Sequence, residues 1–275
     1  MNKHPPSDCN DFLARQLRDL PYFRALLRSV ETAFYQNLDF PAPLLDLGCG
    51  DGHFASVTFD RPVEVGLDPW HAPIHEARRR GAYRWLVEAD GGHIPFPDGY
   101  FASAFSNSVL EHIPQVEQVL QETARVLKPG APFVFCVPNQ RFNASLSVAV
   151  FLDRVRLKSL ATWYRAFFTR ISRHRHLDGP EVWQARLQRA GFVLERWWDY
   201  FSPRALAVLE WGHYAGLPSL LARKLFGRWI LVPARWNLAL TERLVRPYAT
   251  PTTCADGVYT FYLARRGHGR YPPDR

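Results

Sequence analysis

The sequence predicts an α/β protein built on a largely parallel sheet with helices on both faces, and three observations lead there. Short apolar runs alternate with stretches of helical periodicity between residues 43 and 139. The first of these runs flows into a glycine-rich turn, "LLDLGCGDGHF" at Leu44–Phe54, the kind of turn that lets backbone approach a ligand closely. Lys128-Pro129-Gly130 is a strong helix stop, a cation in the last turn followed by proline and glycine, just before another apolar run.

Taken in order, residues 11–38 carry Phe12, Leu13, Leu17, Leu20, Phe23, Leu26, Leu27, Val30 and Phe34 at helical spacing, which predicts one or two helices before the first strand. Strands are then expected at Pro43–Leu47, Val63–Leu67, Arg84–Glu88, Phe101–Ser106 and Phe133–Val137. Helices are expected at His53–Phe59, Ala72–Arg80 and Val116–Leu127. A helix at Pro180–Ala190, stopped by Gly191, leads to a strand at Phe192–Tyr200, and a last strand is expected at Val258–Ala264. Ser202–Thr253 is too long for a plain loop and should hold helices of its own. The chain thus divides into N-terminal helices (1–40), a ligand-binding core (41–140), a basic helical insertion (141–177), a core helix and strand (178–201), a helical insertion or lid (202–253), and a last strand with a polar tail (254–275).

At 275 residues, 47% hydrophobic and 22% charged, the chain can bury a full core. Its four cysteines form no CxxC pair, so neither a zinc site nor a disulfide framework is expected, and a reducing, cytoplasmic setting fits. The first residues show no apolar signal core, and no stretch is apolar for long enough to span a bilayer as a helix. The net charge of +8 is concentrated: residues 141–177 hold eight basic side chains against Asp153, and residues 202–250 hold seven against Glu210 and Glu242, so the remainder is net acidic.

Two ligands compete for the glycine turn. A dinucleotide fingerprint wants a glycine where His53 stands, and the pyrophosphate of a dinucleotide would lie beside Asp51 and near Asp46. Like charges there disfavour a phosphate and favour a cation, such as the sulfonium and ammonium of S-adenosylmethionine (SAM). Asp68, at the tip of the second strand, is placed to accept ribose hydroxyls at the carboxyl edge of the sheet.

With these residues in view, the chain resembles the class I SAM-dependent methyltransferases, in the broad group that includes ubiquinone/menaquinone-type methyltransferases. The resemblance rests on "LLDLGCGDGHF", "VGLD", "EADGGHIPFPDGYFASAFSNSVLEHI" and "ETARVLKPGAPFVFCVPN" across residues 43–139, with "LQRAGFVLERWWDY" similar to the family's penultimate helix and strand. It implies a Rossmann-like, doubly wound, seven-stranded sheet with the last strand antiparallel, plus helical insertions. It also implies a cofactor, SAM, with Asp46, Gly48, Cys49 and Gly50 at its methionine part, Asp68, Pro69 and Trp70 at the adenosine, Asp90 and Gly91 at the adenine, and Asn107 near the methionine. Trp70 has core packing as its alternative. One departure is Ala102, where the family usually has an aspartate of structural role.

Methyl transfer from a sulfonium is an in-line displacement that asks mainly for positioning, with a base only for a hydroxyl acceptor. Candidate bases are His112, Glu111, His174 and His176, with His112 and His176 taken as the catalytic candidates; His112 equally suits a structural role. "HRHLD" at 174–178 has the look of a metal cluster, but no further histidine or cysteine lies nearby in sequence, so no metal is expected.

Residues 144–171 and 217–246 interleave arginines and tryptophans with large aliphatics. They suit a lid closing over the site, or a peripheral contact with anionic membrane on its cytoplasmic face, giving access to a small-molecule, amphipathic or lipid-linked acceptor. An acidic acceptor such as a sugar phosphate, or a dimer interface, would also use this charge. Nucleic acid is not expected, because the basic residues form no continuous polar stripe. Two other functions stand beside methyl transfer: a SAM-binding protein without catalysis, and an NAD-dependent oxidoreductase.

Overall fold

A seven-stranded sheet organises the protein in a computed structural model that describes residues 11–268. In chain order the elements are α1 (Phe12–Leu17), α2 (Tyr22–Tyr35), β1 (Leu44–Leu47), α3 (His53–Thr58), β2 (Val63–Asp68), α4 (His71–Arg80) and β3 (Tyr83–Glu88). They continue with β4 (Ser103–Asn107), α5 (Val116–Val126), β5 (Pro132–Pro138), α6 (Ser147–Arg154), α7 (Lys158–Ser172), α8 (Pro180–Arg189) and β6 (Phe192–Tyr200). Last come α9 (Pro203–Ala215), α10 (Leu217–Phe226), α11 (Arg235–Val245) and β7 (Tyr259–Arg266).

The strand order is β3-β2-β1-β4-β5-β7-β6, with β7 antiparallel to both neighbours and the other pairs parallel. This is the doubly wound, Rossmann-like arrangement with an antiparallel last strand. The strand order reverses between β1 and β4, which opens a crevice at the carboxyl ends of the strands.

The sequence of each strand follows its place. The central strands β1 and β4 are buried at every residue, and β5 at all but its first. They read as near-continuous apolar or small runs because helices cover both faces. The edge strand β3 is partly exposed and leaves Trp85 in the open. On one face of the sheet, Tyr35 of α2 meets the rings of Phe54, Phe105 and Phe261 with centroids 5.2 to 5.6 Å apart. On the other, Trp183 of α8 packs on Phe135 and Tyr262. A smaller cluster joins Leu13, Leu17 and Leu20 to Leu238 and Val245, so the N-terminal helices and α11 pack together although they lie at opposite ends of the chain.

The fourth strand starts two residues later than expected, at Ser103. The backbone of Phe101 instead bonds to Val126 and Lys128 at the end of α5, which ties the loop rather than extending the strand. The two basic segments fold as α6–α7 and as α9–α11. Buried Glu210 of α9 holds them together: its carboxylate accepts the N–H groups of Ser147 and Val148 at the start of α6 and the hydroxyl of Tyr164 in α7. Among the described residues no helix is long and apolar enough to cross a membrane.

A second buried carboxylate ties α2 to the carboxyl edge of the sheet. Glu31 accepts hydrogen bonds from Asn107 Nδ2 at 2.7 Å, Ser108 Oγ at 3.1 Å and the Tyr200 hydroxyl at 3.0 Å, and lies 3.6 Å from Arg28. Removing one member of such a network leaves the others desolvated and unpaired. Glu31→Ala is therefore expected to cost about 3 to 5 kcal/mol, and Tyr200→Phe about 1 kcal/mol, read as shifts of the urea midpoint at constant slope. Equal, small shifts for both would show that the network carries little.

Candidate cofactor cavity

A cavity of about 790 Å³ opens at the β1–β4 crevice. Asp46, Gly48, Cys49, Gly50, Asp68, Pro69, Trp70, Asp90, Gly91, Asn107 and His112 all line it. The sheet brings together three carboxylates that are far apart in sequence, Asp46 within β1, Asp68 at the last residue of β2 and Asp90 just after β3.

The glycine turn works through its backbone. Gly48, Gly50 and Gly52 have φ of +81°, +53° and +72°, which side-chain-bearing residues rarely adopt. A Cβ at Gly48 would lie 2.4 Å from Val109, whereas one at Gly50 would meet nothing within 4 Å, so the chain there faces open cavity. The turn is tied to β2: Gly48 and Cys49 donate to the Leu67 carbonyl, and Gly50 donates to Asp68 Oδ2 at 3.0 Å. Trp70 N–H donates to the other oxygen of Asp68, also at 3.0 Å. Each oxygen of Asp68 thus has one backbone donor and keeps a lone pair for a ligand. Trp70 is 71% exposed, so it packs in no core, and it lines the cavity.

Asp46 is buried and accepts the Tyr83 hydroxyl at 2.6 Å. Burial pushes its pKa up to about 7, with nearby Asp68 adding to the rise and the Tyr83 hydroxyl and Arg28 opposing it. A cation bound beside it would restore the ionised form. Asp90 accepts the N–H of Gly92 at 2.7 Å, which fixes its carboxylate at the end of β3. The Asn107 side chain is committed, donating to Glu31 and accepting from Cys136 Sγ at 3.0 Å; its backbone carbonyl takes Arg28 at 3.2 Å.

The two candidate catalytic histidines part company. His112 Nδ1 lies 3.1 Å from the Arg173 carbonyl, which can only accept, so Nδ1 carries the proton and Nε2 is left as the basic nitrogen of a cavity-lining residue. Burial lowers its pKa and keeps it neutral. His176 does not line the cavity: Nε2 donates to the Ile113 carbonyl at 2.9 Å, and Nδ1 faces Arg186 at 3.3 Å and Asp178 at 3.6 Å. With both nitrogens engaged outside the cavity, the expectation of a catalytic His176 is corrected to that of a strut between the 110–113 turn and α8.

Folding also does what sequence proximity could not, and sets His174 beside Glu111 and His112, with one ligand-type atom from each within 4.8 Å of the others. Burial pushes Glu111 up to about 8 and His174 down to about 3, so at neutral pH this group holds a protonated carboxyl and neutral imidazoles.

Sequence reasoning missed the guanidinium groups of the cavity. Arg24 and Arg28 of α2 and Arg223 of α10 line it, as do Trp229 and His53. The available signal was a row of charged residues, Arg24, Arg28 and Glu31, at helical spacing within an otherwise apolar helix.

A family model described as a methyltransferase domain matches residues 45–135. An uncharacterised methyltransferase of Mycobacterium leprae is 38% identical over 93 residues, 32% of this chain and 34% of that protein, so the match spans about a third of the relative's length. A malonyl-[acyl-carrier protein] O-methyltransferase of Geobacter sulfurreducens is 27% identical over 266 residues, 90% of each chain. Among solved structures, a SAM-dependent methyltransferase from Thermotoga maritima shares the fold, with a TM-score of 0.51 at 13% identity over 89% of this chain and 90% of that one.

Asp46 gives a pH test of the site. Its folded pKa of about 7 lies above its ordinary value of 3.8, so the folded state holds a proton that the unfolded state releases between those values. Stability from this group is present below pH 4 and is lost as pH rises through 7. Relative to Asp46→Asn, the ligand-free protein should lose on the order of a few kcal/mol between pH 4 and 7.5. Parallel stability profiles of the two proteins would contradict this.

Proposed function

We propose that this chain, whose residues 45–135 match a methyltransferase-domain model, is a class I SAM-dependent methyltransferase that transfers a methyl group from SAM to an oxygen of an amphipathic acceptor. The observation that carries this reading is the single cavity in which acidic strand ends, an open glycine backbone and a basic histidine nitrogen meet. The residues fit SAM: buried Asp46 wants a cation, Asp68 keeps two free lone pairs, and a Cβ at Gly50 would project into open space. Asp68 would accept the ribose hydroxyls, Asp90 the adenine amino group, with Gly91 backbone and the Trp70 ring beside the base. Asp46 would face the ammonium of the methionine part, and Arg28, held at the Asn107 carbonyl, its carboxylate.

When bound, SAM supplies a methyl carbon on a sulfonium, which an acceptor displaces in line without acid catalysis of the leaving group. The chain's work is then to position and to shield. His112 Nε2 takes the proton of a hydroxyl acceptor, with the Arg173 carbonyl fixing the ring. The choice of oxygen follows from the relative whose match runs along most of the chain, an O-methyltransferase by name.

The route for the acceptor is the surface of α10 and α11, where Arg223 of α10 and Trp229 of the loop between them line the cavity. Leu225, Trp236 and Leu240 are 74%, 77% and 70% exposed, and Leu221, Phe226 and Leu244 are exposed beside them, among Lys224, Arg228 and Arg243. Large apolar side chains set among cations suit the interface of an anionic membrane. This surface lies against such a membrane and admits a lipid-linked acceptor.

Asp68→Ala should weaken S-adenosylhomocysteine binding by at least about tenfold in calorimetry, with the loss of two charge-assisted hydrogen bonds. Unchanged affinity, or tight NAD binding by the wild type, would overturn the cofactor assignment. Turnover of SAM to S-adenosylhomocysteine with amphipathic acids and alcohols separates an enzyme from a protein that only binds. For the membrane contact, vesicles containing phosphatidylglycerol should co-sediment the protein at low salt and release it at high salt, and Trp236→Ser with Leu240→Ser should abolish it. Failure to bind at low salt would sink the idea.

A further inference from the structure

The cavity carries both signs of charge. Asp46, Asp68 and Asp90 come from the strands and their ends, Asp51 from the glycine turn and Glu76 from α4, while its guanidiniums come from α2 and α10. Two of the three arginines are accounted for. Arg28 donates to Asn107 and pairs with Glu31, and Arg223 grips both oxygens of Glu76 at 2.5 and 2.6 Å. Arg24 is different. Among the described residues its guanidinium makes no ion pair and no hydrogen bond, and it stands over the ring of Trp229, 5.6 Å from the centroid. Arg223 stands over the same ring, also at 5.6 Å, so Trp229 shares two cations. Arg24 nevertheless keeps more than a third of its surface accessible, and it opens into the cavity.

A guanidinium that opens into a cavity without a direct carboxylate partner suits an anion. Burial first, and then Arg28 and Arg223, lower the pKa of Arg24, with Asp51 opposing them. Arg24 sits one helical turn from Arg28 on the same face of α2, and stands over Trp229 of the α10–α11 loop. The position therefore belongs to the acceptor side of the cavity.

We propose that Arg24, braced by Trp229, is the docking point for an anionic head group of the acceptor, a carboxylate or phosphate carried on an apolar chain. This rests on the methyltransferase reading and narrows its substrate class to amphipathic acids. The apolar chain leaves over the exposed leucines of α10, whose Leu221 and Leu225 flank Arg223 in sequence.

Calorimetry on the full chain saturated with S-adenosylhomocysteine tests it, with octanoate, octyl phosphate and octanol as probes. At least one of the two anions should bind roughly tenfold or more tightly than octanol, and the tighter one names the head group. Arg24→Gln should bring both anions to the level of octanol while leaving S-adenosylhomocysteine affinity within about twofold, and Arg24→Lys should restore part of the preference. Octanol binding as well as both anions in the wild type would overturn the proposal, without recourse to any variant. So would an Arg24→Gln protein that keeps the anion preference but loses S-adenosylhomocysteine, since Arg24 would then serve the cofactor's own carboxylate. Absence of S-adenosylhomocysteine binding by the wild type would instead strike the methyltransferase reading, and the same probes on the ligand-free protein still decide the role of Arg24.

Discussion

The buried carboxylate of Glu31 is the joint on which the cavity depends. It reaches from α2 to the last residue of β4, to the serine that follows, and to the end of β6, and each of these gives it a hydrogen bond. Without it, α2 would pack on the sheet by apolar contact and the Arg28–Asn107 bond, which fix distance better than register. With it, Arg28 and Arg24 are set at defined heights above the strand ends, and the Asn107 carbonyl is aimed at Arg28. The energetic logic is that of a fully satisfied buried network, costly to interrupt and therefore specific in geometry.

The cavity built on that joint has two chemical halves. The carboxyl ends of β1 and β2 and the turn after β3 supply carboxylates, because parallel strands all finish at one edge and their turns face one crevice. Helices α2 and α10 supply guanidiniums, and the loop after α10 an indole. The first half can hold a molecule that is cationic at one point and rich in hydroxyls at another. The second offers positive charge beside exposed hydrocarbon. A donor and an acceptor of opposite character can so be kept apart until their reactive atoms meet.

The first half was legible in the sequence and the second was not, for a physical reason. Asp46, Gly48, Gly50, Asp68 and Asp90 lie in short strand–turn–helix units, where residue type, spacing and backbone conformation are coupled locally, so that pattern implies position. The neighbours β1-β2-β3 and β4-β5 are consecutive in the chain, whereas β4 crosses back to pair with β1. Arg24, Arg223 and Trp229 share a site only because α1 and α2 pack against α11 through Leu17 and Leu238. Nothing in either segment announces the other. His176 illustrates the converse: its neighbourhood in sequence suggested chemistry, and the fold turns it toward Ile113 and Arg186 instead. Glu111 and His174 were weighed singly, and only the fold reveals that they are neighbours.

The place of β7 in the sheet bears on how the molecule is made. Because β7 lies between β5 and β6, the edge of β5 has no partner until the strand at Tyr259–Arg266 has emerged, and β6 cannot join the sheet before then. During synthesis the chain must carry β5 with an open edge through the whole of α6 to α11, more than a hundred residues. The strands whose ends line the cavity, β1 to β4, are thus made long before the sheet can be closed at β7, and the crevice can form ahead of the far edge.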